Sequence, residues 1–503
     1  MNRKIKEENN SKIISNIKLE NILCLFVIMC PILDMGSFLF RNAFNTNFSP
    51  STIIRPIIPT VISLYLFIKK DKKFKLYSFL ISIIYGIYGI IHLFLFTKVK
   101  TEFSYSNVFH EMQYIVNYSF MILNLFLYTY IFKIYNIEKL KKSIIVSIGI
   151  YILLIFISIL TGTSSNTYEE GMGYKGWFES GNSISSILLL SMFIYLPYIK
   201  DKKHRKIIIS ILVLVGIFLS LLIGTRAGLF GFSLITAIYI CIEVIYNLIK
   251  NKKINKKIIY IGLGSLLIIS LIVLRFGSNT IQRRRHLEEI ESNIVDKSRQ
   301  ENSHITGDLL EIKEKIENGK IEENYMSEEQ KKSVLDLYNI ANDLKIKNND
   351  QRMQQLIYNL ALIKNQKNII LVLFGNGYMA NFRELVFEME VPAILCNFGI
   401  LGFILYLGPF ITILFKGIYV AIKNRKKIDD DYIFLLLGSA FAFALSFFSG
   451  YTFFNSSTMM IIIVLNTVLY NKIQKIDKKK MENKYLLQVN DKKENEKEKI
   501  ENK

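Results

Sequence analysis

Residues 387–407 read FEMEVPAILCNFGILGFILYL. Two carboxylates, Glu388 and Glu390, stand at the entrance to a long apolar run. Acids at the mouth of a membrane helix are costly to place and tend to be functional. On a helix the two would point in different directions; on an extended segment they would share a face. Pro392 disfavours helix at Val391, so the pattern predicts a break just before the run. Two readings stand. One acid takes a proton from an attacking hydroxyl, or both are solvated helix-start residues favoured by the dipole.

Outward from this stretch, apolar runs recur at 21–40, 52–68, 76–97, 113–132, 143–161, 180–198, 207–223, 228–249, 258–276, 393–421, 432–448 and 456–471. Most are long enough to cross a ~30 Å hydrocarbon core. With 51% hydrophobic residues and a mean hydropathy of +0.29, the chain is too apolar for a soluble protein of 503 residues. It reads as an all-α polytopic membrane protein with about 12 transmembrane helices. Met1–Glu20 lacks the apolar segment and cleavage site of a signal peptide.

The formal net charge of +21 would by itself admit a nucleic-acid partner. Its distribution argues for none. The clusters Lys69–Lys75, Lys133–Lys142, Lys200–Lys206, Lys250–Lys257 and Lys423–Lys427 hold 23 Lys and Arg. The alternate loops hold five: Arg41, Lys98, Lys100, Lys175 and Arg226. This is the positive-inside pattern. It predicts a plasma-membrane protein with both termini cytoplasmic. The chain then divides into a cytoplasmic N-terminal segment (1–20), nine transmembrane helices (21–276), a large extracytoplasmic loop (277–392), three transmembrane helices (393–471) and a disordered basic cytoplasmic tail (472–503), which can touch anionic membrane lipid.

Within the loop, Ser327–Lys345 places Val334, Leu335, Tyr338, Ala341 and Leu344 at helical spacing, and Gln351–Lys364 adds Leu356, Tyr358, Leu360 and Ile363. A small helical cap is expected; the competing reading is a solvated insertion. Two further motifs fall on the same side. Gly224–Gly228, GTRAG, puts Arg226 in a tight turn between two runs, either as a fixed charge suited to phosphate oxygens or as a side chain snorkelling to the interface. Gly171–Asn182, GMGYKGWFESGN, carries the single tryptophan, Trp177, beside Lys175, Glu179 and Asn182. It suits a sugar ring, or serves as an interfacial aromatic anchor.

The five histidines are scattered, and the four cysteines, Cys24, Cys30, Cys241 and Cys396, lie in apolar runs without metal spacing. No Walker motif, nucleotide-binding glycine loop or serine elbow occurs. The residues call for no metal and no cofactor, and disfavour an ATP-driven machine or a soluble-type hydrolase.

At three places the chain resembles the O-antigen ligase and polymerase superfamily. GWFESGNSISSILLL is similar to the segment opening a central helix in Gram-positive members. LLIGTRAGLFGF is similar to a short Ser/Thr-Arg-Gly/Ala turn, and FGNGY, EME and NFGILGFILYL to a Gly-x-Gly, acid-or-His and GI-[LI]-G series. The resemblance covers about residues 20–470. It implies a GT-C-like, metal-independent glycosyltransferase of the outer membrane face. The donor it implies is a polyprenyl-diphosphate-linked glycan, and the acceptor a sugar hydroxyl on a second glycan. Arg226 would then hold the donor diphosphate. Lipopolysaccharide ligases have a His about where Glu388 falls, and Gram-positive sequences often have an acid at Glu390. Arg383 and Arg283–Arg285 could add phosphate contacts, without a motif match. Richness in Ile, Lys and Asn hints at an AT-rich source without lipid A, which favours a surface-polysaccharide polymerase over a ligase.

Two rivals remain from the residues alone. A polysaccharide or lipid-linked oligosaccharide transporter or flippase would have a similar span count, but would carry its ionisable groups at the midplane, where Asp34 and Glu243 are the main acids. A sensor or scaffold would use the loop to bind a partner.

Overall fold

The computed structural model describes residues 2–46, 49–69, 72–99, 108–168, 173–199, 308–320, 327–344, 346, 351–377, 387, 389–448, 450 and 452–477, with scattered positions between 215 and 244. Among these, eight helices are long and apolar enough to cross a membrane, and Ile53–Ile68 is a shorter apolar helix. They fall on nine of the expected runs. The runs at 207–223, 228–249 and 258–276 lie wholly or in large part outside the described residues.

The bundle begins with α1 (Asn2–Phe44), α2 (Pro50–Ile68), α3 (Lys72–Val99), α4 (Val108–Phe132) and α5 (Ile137–Leu160). Local chemistry sets their starts. Pro50 opens α2 where a missing N–H costs nothing. The Asn136 side chain accepts the Glu138 N–H at 3.0 Å and caps α5. A short antiparallel hairpin follows, β1 (Ser165–Asn166) with β2 (Tyr174–Gly176), then α6 (Gly181–Ile199). The loop region gives α7 (Asp308–Glu317), α8 (Glu328–Asp343), α9 (Gln351–Gln366) and α10 (Ile369–Phe374). The helices expected over 327–345 and 351–364 are α8 and α9. Ser327 and Gln330 form a reciprocal capping box at the start of α8, and Val334, Leu337, Tyr338 and Ala341 bury its inner stripe. The bundle closes with α11 (Glu390–Lys423), α12 (Asp430–Phe448) and α13 (Ser456–Asp477).

α6 and α13 are enclosed by neighbours, whereas α3 leaves Leu76, Phe79, Leu80, Ile84, Ile87, Ile90 and Phe94 exposed. A helix apolar all round and open on one side fits hydrocarbon better than water. α1 packs on α5 and α2, α12 on α6, and α11 on α10 and α12. At one end of the bundle Lys141 of α5 and Lys472 of α13 meet Asp431 of α12 at 2.9 and 2.5 Å. At the other end lie the hairpin, the start of α6 and the start of α13.

The break in α11 is displaced from its expected place. The helix starts at Glu390, and Pro392 sits in the first turn, where N–H groups have no intrahelical acceptor to lose. The interruption comes instead at Gly399, with φ 69° and ψ −175°. Gly375, ending α10, has φ 84°. A Cβ on Gly375 would fall on the Asn397 carbonyl, and one on Gly399 on the Leu373 carbonyl. Only glycine fits this crossing, for space and for conformation alike.

Gly399→Ala is therefore expected to cost on the order of 3 kcal/mol through strain and overlap. Gly149→Ala, whose Cβ would meet nothing within 4 Å, should be neutral or gain up to about 1 kcal/mol. Thermal unfolding in detergent compares them; equal melting temperatures would refute the crossing as a constraint.

Candidate functional site

The site region is built around two backbone junctions. In the first, the turn after α10 docks on the kink of α11. The Asn376 N–H donates to the Cys396 carbonyl at 3.0 Å, and the Gly377 N–H to the Asn397 carbonyl at 2.8 Å. The FGNG and NFGILG stretches thus lie against each other. α3 braces the seam from below. The Tyr88 hydroxyl donates to the Phe398 carbonyl at 2.6 Å. His92 joins the Phe374 carbonyl through Nδ1 at 2.8 Å and Glu111 of α4 through Nε2 at 2.7 Å.

In the second junction, Glu390 gathers the segment before α13. Its Oε1 accepts the N–H groups of Thr452 (2.7 Å) and Phe454 (3.0 Å). Its Oε2 accepts the Phe453 N–H (2.6 Å) and the Ser446 hydroxyl (3.1 Å). A carboxylate has about four lone-pair sites, and here four donors take them. The side chain is 6% exposed. Glu390 therefore anchors a loop, and its oxygens are committed before any substrate arrives.

The same segment continues into a charged network. Arg55 of α2 pairs with Asp34 of α1 at 2.6 Å and donates to Ser457 at 2.5 Å and to Ser456. Asp34 also accepts the Tyr151 hydroxyl of α5 at 2.5 Å and the Ser457 hydroxyl. The Asn455 side chain caps α13 by accepting from the N–H groups of Ser457 and Thr458, both at 3.1 Å, and Thr458 reaches the Ser183 carbonyl of α6. Thr452–Thr458 thus touches α1, α2, α6, α11 and α12.

The tryptophan-bearing loop and the arginine turn also meet. A Cβ on Gly173 would fall on the Ile223 carbonyl. The Ser185 and Thr225 hydroxyls bond at 2.5 Å, and the Gly228 N–H donates to the Thr225 hydroxyl at 3.1 Å. Buried Thr225 therefore ties the start of α6 to Gly228. In the loop, the Trp177 indole N–H donates to Thr163 at 3.0 Å, and Glu179 pairs with Arg41 at 3.2 Å. Lys175 donates to the Glu179 carbonyl at 3.0 Å. Burial draws its ammonium below the usual lysine range, with the Glu179 charge acting the other way. Asn182 is half-buried at the start of α6. Arg226, Arg383, Glu388, Glu243 and Arg283–Arg285 lie outside the described residues.

Comparison with known families adds the class. The family described as O-antigen ligase like membrane protein matches residues 16–476. The chain belongs to this family. The match runs from the membrane portion of α1 nearly to the end of α13, so it takes in both junctions and the charged network. A search of curated proteins gives no match. Membership makes the protein a multi-pass membrane enzyme of glycosyltransferase type that processes glycans.

Sequence alone does not single out Arg55 or Thr452–Thr458, and it sets Glu111 beside His110 in the chain, whereas the structure pairs Glu111 with His92. Arg55 stands inside an apolar run, where an unpaired cation is expensive, and Asp34 one helix away was the available cue. TFFNSST, heading the last run, is polar beyond the needs of a cap.

Glu390→Gln should weaken the second junction, because an amide NH₂ would face a backbone N–H. We expect roughly 3 kcal/mol of lost stability and faster hydrogen exchange at Thr452–Phe454. Unchanged exchange there would overturn the anchoring role.

Proposed function

We propose that this protein transfers a glycan from polyprenyl diphosphate to a sugar hydroxyl at the outer face of the plasma membrane, acting as a surface-polysaccharide polymerase or an O-antigen-ligase-like enzyme. One observation carries the reading. In a chain of this family, the loop that carries Trp177 meets the segment leading into the Arg226 motif, with Gly173 against the Ile223 carbonyl and Gly181 against Thr225.

The acceptor oxygen attacks the anomeric carbon as the bond from that carbon to the diphosphate oxygen breaks. Polyprenyl diphosphate leaves with the bonding pair, and the acceptor proton passes to a carboxylate. Arg226, with Arg383 in support, stabilises the charge gathering on the leaving diphosphate. Trp177, Lys175, Glu179 and Asn182 border the glycan. Glu388 is the base. Glu390 is the other acid of the pair, but four donors already occupy its oxygens. In this reading Glu390 fixes the mouth of the helix, and Glu388, two residues earlier, does the chemistry. Because the donor arrives activated as a diphosphate, the scheme uses no nucleotide and routes no step through a metal.

Reconstituted with polyprenyl-diphosphate oligosaccharides, the protein should yield longer glycans and free polyprenyl diphosphate. Glu388→Gln and Arg226→Ala should each lower turnover by about 100-fold or more at normal expression. Wild-type activity in both variants would remove these residues from the site. Absence of turnover across several donors, with substrate-dependent transport instead, would overturn the enzyme reading in favour of a transporter.

A further inference from the structure

Asn376 stands between two glycines of left-handed conformation, Gly375 at φ 84° and Gly377 at φ 74°. Its N–H is held by the Cys396 carbonyl, and the Phe374 carbonyl two residues before it by His92. The side chain is only 2% exposed, yet neither its Nδ2 nor its Oδ1 has a hydrogen-bond partner among the described residues. No other buried amide side chain among them lacks a partner at both ends. Buried donors and acceptors are almost always paired, and leaving them unpaired costs stability. Leucine would fill a similar volume without that loss. A carboxamide held rigid and left unsatisfied is the form a preorganised recognition group takes.

We infer that the Asn376 carboxamide is a sugar-recognition group, donating through Nδ2 and accepting through Oδ1 to a ligand edge that offers both. Adjacent sugar hydroxyls are such an edge, since each both donates and accepts. A diphosphate only accepts and is better held by cations. The seam carrying Asn376 meets α11 at Cys396, six residues beyond Glu390, which is roughly 9 Å along a helix axis. A glycan engaged at the acid mouth can therefore span to it. The inference rests on the glycosyl-transfer reading and deepens it by assigning a residue that reads the sugar and not the leaving group.

The test compares full-length wild type with Asn376→Leu. The probes are the lipid-linked glycan pool extracted from the source cells and sugar-free undecaprenyl diphosphate. Two readouts are taken: turnover, and the shift in melting temperature on adding each probe. The variant should fold as well as wild type or better, raise KM for the glycan-bearing donor by roughly tenfold with little change in kcat, and keep its response to undecaprenyl diphosphate. Equal KM and equal glycan-induced shift in the two proteins would overturn the inference while leaving the glycosyltransferase reading intact. A wild type with neither turnover nor glycan response would overturn both. Asn376→Ser, which shortens the side chain and adds no bulk, gives the same discrimination should the leucine variant fold poorly.

Discussion

A carboxylate buried at a helix start must be given donors, and Glu390 obtains them from three consecutive backbone N–H groups sixty residues further along the chain. Such a run of N–H groups forms a small anion-binding concavity. Here the anion belongs to the protein, so the concavity works as a clasp. Closing it fixes where α11 begins, the path of Thr452–Phe454 and hence the entry into α13. The next residues of that segment bind Arg55, and Thr458 reaches α6. Without the clasp, the Arg55–Asp34 pair would lose the two serines that fill its remaining hydrogen bonds. The buried ion pair would then carry desolvation costs with fewer compensations.

The glycine crossing does for backbone what the clasp does for charge. Kinking α11 at Gly399 turns the Cys396 and Asn397 carbonyls toward the turn after α10, and the turn supplies N–H groups where no side chain intervenes. Backbone polar groups inside a membrane bundle need such partners, since lipid offers none. The two junctions thus hold the segment between Gly377 and Glu390 at both ends. That segment includes Arg383 and Glu388, the residues on which the proposed chemistry leans. Rigid anchors flanking a short functional stretch are a common way to place reacting groups.

How much of this could be read beforehand depends on whether a feature was local. Helices came through because apolar runs and charge clusters are properties of contiguous sequence. Ser327 and Gln330 lie three residues apart, so the start of α8 was legible too. GNG and NFG were noticed as motifs, but their meeting was not, because nothing in either sequence names a partner more than twenty residues away. Pro392 has the local signature of a helix breaker, but its place in a first turn makes it harmless, and Gly399 is the interruption. The sequence offers Glu390 as a base or a solvated helix start, and its bonds to Thr452–Phe454 are to backbone, which leaves no trace in residue identity.

The acids and bases inside the bundle bear on the transporter alternative. In the His92–Glu111 pair, the Phe374 carbonyl can only accept, so Nδ1 carries a proton. Nε2 shares its hydrogen bond with the Glu111 carboxyl. Asp34 is likewise matched by Arg55. Both pairs join separate helices, and the first also holds the carbonyl that precedes the glycine turn. A transporter works by letting such groups exchange partners as its halves rock. In these two pairs each partner also holds up a junction, so exchanging it would undo the anchors at Gly377 and Glu390. These two pairs are better understood as a frame for the junctions than as a path through the bundle.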